Sequence, residues 1–141
     1  MTARRVGDGM TDPVSERLDL PDPYIAVVGA TDHPHKYGNV IYRDLKSKGY
    51  RVVGVNPLRE TIDEDRCYAR LDDLEEVPDI VNFVVPPTRT LRLLDDVAAL
   101  GDVAVWIQPG AADDAVRARV AELGLPALID ACIMIRARGK G

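Results

Sequence analysis

Four short stretches of this chain hold most of the residues that could do chemistry on a small molecule. Gly29, Ala30 and Thr31 open the first, and Tyr37, Gly38, Asn39 and Val40 close it. Asn56, Pro57 and Arg59 belong to the second, Val85, Pro86 and Pro87 to the third, and Gln108 and Gly110 to the fourth. Each stretch follows an apolar run. A glycine there lets a bound group approach the backbone, and the helix start that follows offers unpaired N–H groups and a positive dipole end. That equipment suits an anion, a phosphate first of all. Gly29 alone is equally an ordinary strand-to-loop glycine. The stretch from Gly29 to Gly38 also lacks the compact G-x-G-x-x-G dinucleotide fingerprint.

The second stretch is more telling. In alternating strand–helix folds, NAD sites end the second strand on Asp or Glu, which holds the ribose hydroxyls. Here that residue is Asn56, and the first carboxylate after it is Glu60. Arg59 offers a guanidinium instead. It suits a phosphate on the ribose, as in coenzyme A (CoA) or NADP. Its plain alternative is a solvated loop arginine. Pro86 and Pro87 make a rigid wall and start a helix, with Thr88 as its cap. Gln108 suits a ligand amide or carbonyl, or else its own loop backbone.

Nucleophiles and metal ligands are scarce. His33 and His35 are the only histidines, and no cysteine or carboxylate pattern completes a metal site around them. They read as exposed loop residues. Cys67 falls in a hairpin-like insertion. Cys132, in Asp130-Ala-Cys-Ile-Met, follows the fifth apolar run and faces the same edge as the four loops, unless it is simply a small buried hydrophobe. A thiol next to the reactive end of a thiol cofactor would support mixed-disulfide formation. The acidic pairs Asp72–Asp73, Glu75–Glu76 and Asp95–Asp96 look like solvated faces, with no spacing that selects a general acid and base. The reading therefore assigns no catalytic residue and no metal ligand.

The elements that must position these loops follow from pattern. The chain has 141 residues, 46% of them hydrophobic and 29% charged, which fits one globular domain. The formal charge of -5 argues against a nonspecific nucleic-acid binder, which needs a basic face. No apolar run is long enough to span a bilayer, and no apolar signal core follows Arg4 and Arg5. Two cysteines make no extracellular disulfide framework. A soluble, reduced, cytoplasmic protein is expected. Residues 1–17 are expected to form a flexible extension, 18–136 the folded body and 137–141 a flexible tail.

Five strands are predicted at Tyr24–Val28, Arg51–Val55, Asp79–Val85, Val103–Ile107 and Pro126–Ile129. Their unbroken apolar character points to a sheet covered on both faces. Helical faces lie between them at Val40–Leu45, Leu91–Ala98 and Ala115–Leu123, each before a glycine stop. Asp113 and Asp114 suit the first turn of the last helix. A brief helix is expected at Leu71–Leu74, and a small hairpin with an acidic turn within Arg59–Arg70. The expected fold is α/β, a Rossmann-like doubly wound parallel sheet of five strands ordered 3-2-1-4-5. Its crevice would lie at the carboxyl ends of strands one and four.

The assembled pattern resembles the small single-domain CoA-binding proteins, which are related to the CoA-binding domain of succinyl-CoA synthetase alpha subunits. The matching segments are IAVVGAT at 25–31, YGNVIYRDL at 37–45, GYRVVGVNP at 49–57, DIVNFVVPP at 79–87, AVWIQPG at 104–110 and Asp130-x-Cys132. Order and spacing carry the resemblance more than any one motif. It implies CoA held across the sheet edge. Gly29, Ala30 and Thr31 would line the first loop, with Tyr37, Gly38, Asn39 and Val40 around the helix start. Asn56 and Pro57 would shape the second loop, and Arg59 would lie near the phosphates. Val85, Pro86 and Pro87 would form an apolar floor, facing Gln108, Gly110 and Cys132. The family often has Asn–Pro–Lys and then glycine after strand two, so the basic contact here comes one position later.

The function expected from this resemblance is noncatalytic binding of CoA or an acyl-CoA, sensing it or presenting it to a protein partner. The length leaves no room for a separate catalytic domain. The alternatives are a small NADP-dependent oxidoreductase and a structural or regulatory subunit with an empty nucleotide crevice. Either a monomer or a homodimer fits.

Overall fold

A computed structural model describes residues 12–140. Most of the expected N-terminal extension, residues 1–11, lies outside the described residues. The order begins with a short 3-10 turn at Ser15–Asp19, followed by β1 (Tyr24–Val28), α1 (Tyr37–Ser47) and β2 (Arg51–Val55). A hairpin of β3 (Thr61–Ile62) and β4 (Asp65–Tyr68) follows, then a 3-10 turn at Leu71–Asp73. The chain continues through β5 (Ile80–Phe83), α2 (Pro87–Leu100), β6 (Ala104–Ile107), α3 (Asp114–Leu123), β7 (Ala127–Ile129) and α4 (Ile133–Arg136).

The apolar strands alternate their side chains between two cores. Ile25, Val27, Ile80 and Trp106 face α1 and α4, where Ile41, Tyr42, Leu45 and Ile133 meet them. Ala26, Val28, Val81, Phe83, Val105 and Ile107 face the other way, against Leu94 and Val97 of α2 and Val116 and Val120 of α3. Val14, Leu18 and Ala137, near the ends of the described chain, are buried in the first core. A sheet so covered explains why its strands read as continuous apolar runs rather than alternating ones.

The sheet corrects the expected strand count and order. It has seven strands, ordered β3-β4-β2-β1-β5-β6-β7. All neighbours are parallel except β3 and β4. The five predicted strands run 2-1-3-4-5, not 3-2-1-4-5. The hairpin takes the place assigned to the third strand. Its turn residues Asp63 and Glu64 both have positive φ, 50° and 69°, the backbone that two-residue hairpins favour. β4 then pairs with β2, Gly54 against Cys67 and Val55 against Tyr68. Gly54 makes room for this, since a Cβ there would stand 3.2 Å from both Ala30 and Ile62. The strand at Ile80–Phe83 crosses to the far side of β1. The winding therefore reverses between β1 and β5, not between strands one and four.

Candidate functional site

The corrected switch point carries a cavity of about 390 Å³. Gly29, Thr31, Tyr37, Gly38, Asn56, Arg59, Val85 and Pro86 all line it, so three of the four loops converge there and the loop after β6 does not. Its floor depends on close backbone approach. Gly29 has φ +103°, and a Cβ there would meet Val85 at 2.8 Å. Gly38 admits the first turn of α1 against the carbonyl of Gly29. The two glycines let the β1 exit, the start of α1 and the Val84–Val85 segment pack backbone to backbone.

Side-chain amides hold the loops in shape. Asn39 Nδ2 donates to Thr31 O at 2.9 Å, and Asn56 Nδ2 donates to Ala30 O at 2.9 Å. Asn56 Oδ1 accepts from Leu58 N at 2.9 Å, and Thr31 Oγ1 accepts from His33 N at 3.2 Å. Ala30 is fully buried, so its contribution is a carbonyl and core packing. Gln108 is 1% exposed, and its Oε1 accepts from Ile133 N at 2.9 Å, tying β6 to α4.

Other residues singled out in the sequence lie apart from this cavity. Pro57 lines a neighbouring cavity of about 520 Å³, which shares Leu58 and Arg89 with the first. Asn39 and Val40 border a depression on the outer side of α1. Gly110 is exposed in the β6–α3 loop, and Pro87 begins α2. Cys132 stands behind Tyr37, its Sγ 3.3 Å from Tyr37 Oη. Burial pushes the Cys132 thiol up. The Tyr37 hydroxyl, with the Gln108 amide and the peptide N–H groups of Met134 and Ile135 nearby, outweighs burial and lowers the thiol below its ordinary value. The same bond to Cys132, ahead of burial, raises the Tyr37 phenol.

Electrostatics favour an anion in the cavity. His33, Lys36, Arg59 and Arg89 all line it. Arg59 is partly neutralised by Asp32, 3.7 Å away. Among the described residues, Lys36 and Arg89 have no carboxylate within ion-pair distance. Both stand where helices begin, Lys36 at the N-cap of α1 and Arg89 in the first turn of α2. Neither helix has a side-chain cap, so Thr88 does not fill its expected role. Asp113 does cap α3, accepting from Val116 N at 3.0 Å. The two helices that reach the cavity thus keep first-turn N–H groups free of side-chain acceptors. Lys36 and Arg89 were not singled out in the sequence. Their place, a basic residue at each helix start beside a strand end, is the signal that would have found them.

Among the described residues, no group of three or more His, Cys, Asp or Glu could hold a metal ion. No described helix is long and apolar enough to cross a membrane.

Comparison with known proteins identifies the family and the fold. Residues 24–138 match the family model of a CoA binding domain. A Bacillus subtilis (strain 168) protein, YneT, is 26% identical over 114 residues, covering 79% of this chain and 82% of its own. A conserved hypothetical protein from Pyrococcus furiosus has the same fold with a TM-score of 0.77 and 37% identity, over 80% of this chain and 97% of that one. The dinucleotide-forming acetyl-coenzyme A synthetase 1 of Ca. Korarchaeum cryptofilum matches with a TM-score of 0.66 and 28% identity. That match covers 80% of this chain but only 26% of the synthetase. On the match over residues 24–138, this chain belongs to the CoA-binding domain family.

Proposed function

We propose that this protein binds CoA or an acyl-CoA in the crevice between β1 and β5, without chemistry of its own on the thioester, and presents it to a protein partner. The observation that carries this reading is the convergence of Lys36, Arg59 and Arg89 on a cavity floored by Gly29, Val85 and Pro86. Three cations and two uncapped helix starts suit a ligand with several phosphates. The apolar floor suits a flat base or a pantetheine arm. Asn56 at the end of β2, where NAD sites carry an acid, favours a nucleotide whose ribose is phosphorylated. The match to one segment of a much longer synthetase supports a module that works beside other domains or chains.

Calorimetry of ligand-free protein with CoA, dephospho-CoA, NADP and NAD tests the reading. CoA is expected to bind, and more tightly than dephospho-CoA if Arg59 holds the ribose phosphate. Equal affinity for those two would remove that role from Arg59. Tight NADP binding with no CoA heat would replace the reading with a dinucleotide one, and silence from every nucleotide would leave a structural subunit.

A further inference from the structure

One group beside the crevice is not used by noncovalent binding. Cys132 occupies the N-cap of α4 and is only partly buried. Its sulfur meets Tyr37 Oη at 3.3 Å, and Tyr37 lines the cavity. Gln108 fixes this corner from below. The bond from Ile133 N to its Oε1 orients the amide, and its Nε2 turns to the sulfur. That nitrogen is buried and has no hydrogen-bond partner among the described residues. Asn82 is fully buried, and both of its amide atoms also lack partners. By strand alternation it shares the sheet face of Ile80 and Val84. Buried amides are nearly always satisfied, so the unmatched Gln108 nitrogen beside a half-open thiol marks a place for an incoming polar group.

The second cysteine has none of these features. Cys67 is buried in the sheet, and its sulfur reaches only the carbonyls of Tyr68 at 3.8 Å and Asn56 at 3.9 Å. Burial pushes its thiol up. Reactivity follows the thiolate, so the two cysteines are chemically distinct.

We infer that Cys132 is a thiol-exchange site, which opens the disulfide of the cofactor thiol and keeps CoA as a mixed disulfide. This rests on the CoA reading above, because the nucleotide must bring the pantetheine end to Tyr37. The co-reactant is a symmetric CoA disulfide. Cys132 gives its proton to solvent, and the thiolate attacks one sulfur of that disulfide. The Cys132–S–S–CoA bond forms as the old S–S bond breaks. The electron pair leaves with the second CoA thiolate, which is protonated by solvent. One disulfide is consumed and one is made, so no other oxidant is needed. Tyr37 is a positioning residue, its hydroxyl 3.3 Å from the attacking sulfur, and Gln108 fixes the start of α4 that carries it.

The test uses the full chain, first reduced and then freed of reductant. It is exposed to CoA disulfide or, separately, to glutathione disulfide. Intact mass and peptide mapping are expected to find one CoA on Cys132, removable by dithiothreitol and absent from Cys132→Ser. Nucleotide binding makes the exchange effectively intramolecular, so the CoA adduct should form on the order of tenfold faster than the glutathione adduct. Tyr37→Phe should move the pH midpoint of adduct formation upward, which a purely structural tyrosine would not do. Equal rates with both disulfides, or an adduct on Cys67, would overturn the inference. Calorimetry of the reduced protein with reduced CoA separates the two readings. Heat without an adduct overturns thiol exchange alone, whereas neither heat nor adduct overturns CoA binding as well.

Discussion

A Cβ on Gly38 would stand 2.0 Å from the carbonyl oxygen of Gly29. The first turn of α1 is thus laid directly on the peptide that leaves β1. This contact brings Tyr37 and the N-cap Lys36 to the cavity. It also aims the start of α1 at the place where a phosphate would lie.

Gly38→Ala should therefore cost more than an ordinary glycine substitution. Backbone, not a flexible side chain, is the obstacle, and a loss of about 2–3 kcal/mol is expected. Gly110→Ala is the control. Gly110 has a positive φ, but nothing lies within 4 Å of an added Cβ, so strain alone should cost about 1 kcal/mol. Urea unfolding of both variants measures the difference. Equal midpoints would show that the Gly29–Gly38 approach is not tight in solution.

The three cations should contribute unequally to CoA affinity. Lys36 and Arg89 are free of carboxylates among the described residues, while Arg59 is shared with Asp32. Lys36→Ala and Arg89→Ala should each weaken CoA binding about five- to tenfold, somewhat less than a fully desolvated charge-assisted hydrogen bond because both side chains stay partly solvated. Arg59→Ala should cost less, and Asp32→Asn should strengthen binding by releasing Arg59. Titrations at low and high salt read both effects, since the contributions of exposed cations shrink on screening. Unchanged affinity in both Lys36→Ala and Arg89→Ala would move the phosphates elsewhere.

Stability at alkaline pH should depend on Tyr42. Its buried phenol donates to Asp65 Oδ2 at 2.8 Å. Burial first, and then the bond to Asp65, raise the phenol well above its unfolded value of about 10. A raised phenol stabilises the fold fully below that unfolded value, and the stabilisation is lost as pH rises beyond it. Asp65 has the opposite sign. The Lys46 ammonium holds it below the usual carboxylate range, over burial and with help from Tyr42. Its share is full above pH ~4 and is lost as pH falls through its folded value. Tyr42→Phe should cost about 1 kcal/mol at neutral pH, because the carboxylate it abandons stays solvated. The gap between wild type and variant should narrow above pH ~10. Urea midpoints across pH 7–11 test this, and a constant gap would refute it.

The sequence by itself determined the class of the fold. The runs at 24–28, 51–55 and 104–107 are apolar on both faces, and only a doubly covered sheet buries both. It also marked the loops after 24–28, 51–55 and 79–85, rich in Gly, Asn and Pro, which line the cavity, but equally the loop after 104–107, which does not. Strand order was beyond it. The hairpin strands are short and carry Asp65 and Arg66, so they gave no apolar signal, yet their backbone pairing with β2 displaced the next strand across β1. That displacement moved the crevice and decided which loops line it. The sequence could mark Arg59, but only packing brought Asp32 beside it and left Lys36 and Arg89 as the freer cations. Likewise, 95 positions separate Tyr37 from Cys132 in the chain, and only the docking of α4 against α1 makes them neighbours. Local pattern fixes which residues become strand or helix, because burial and backbone preference act over a few residues. Site membership is a property of distances across the sheet, which no local pattern contains.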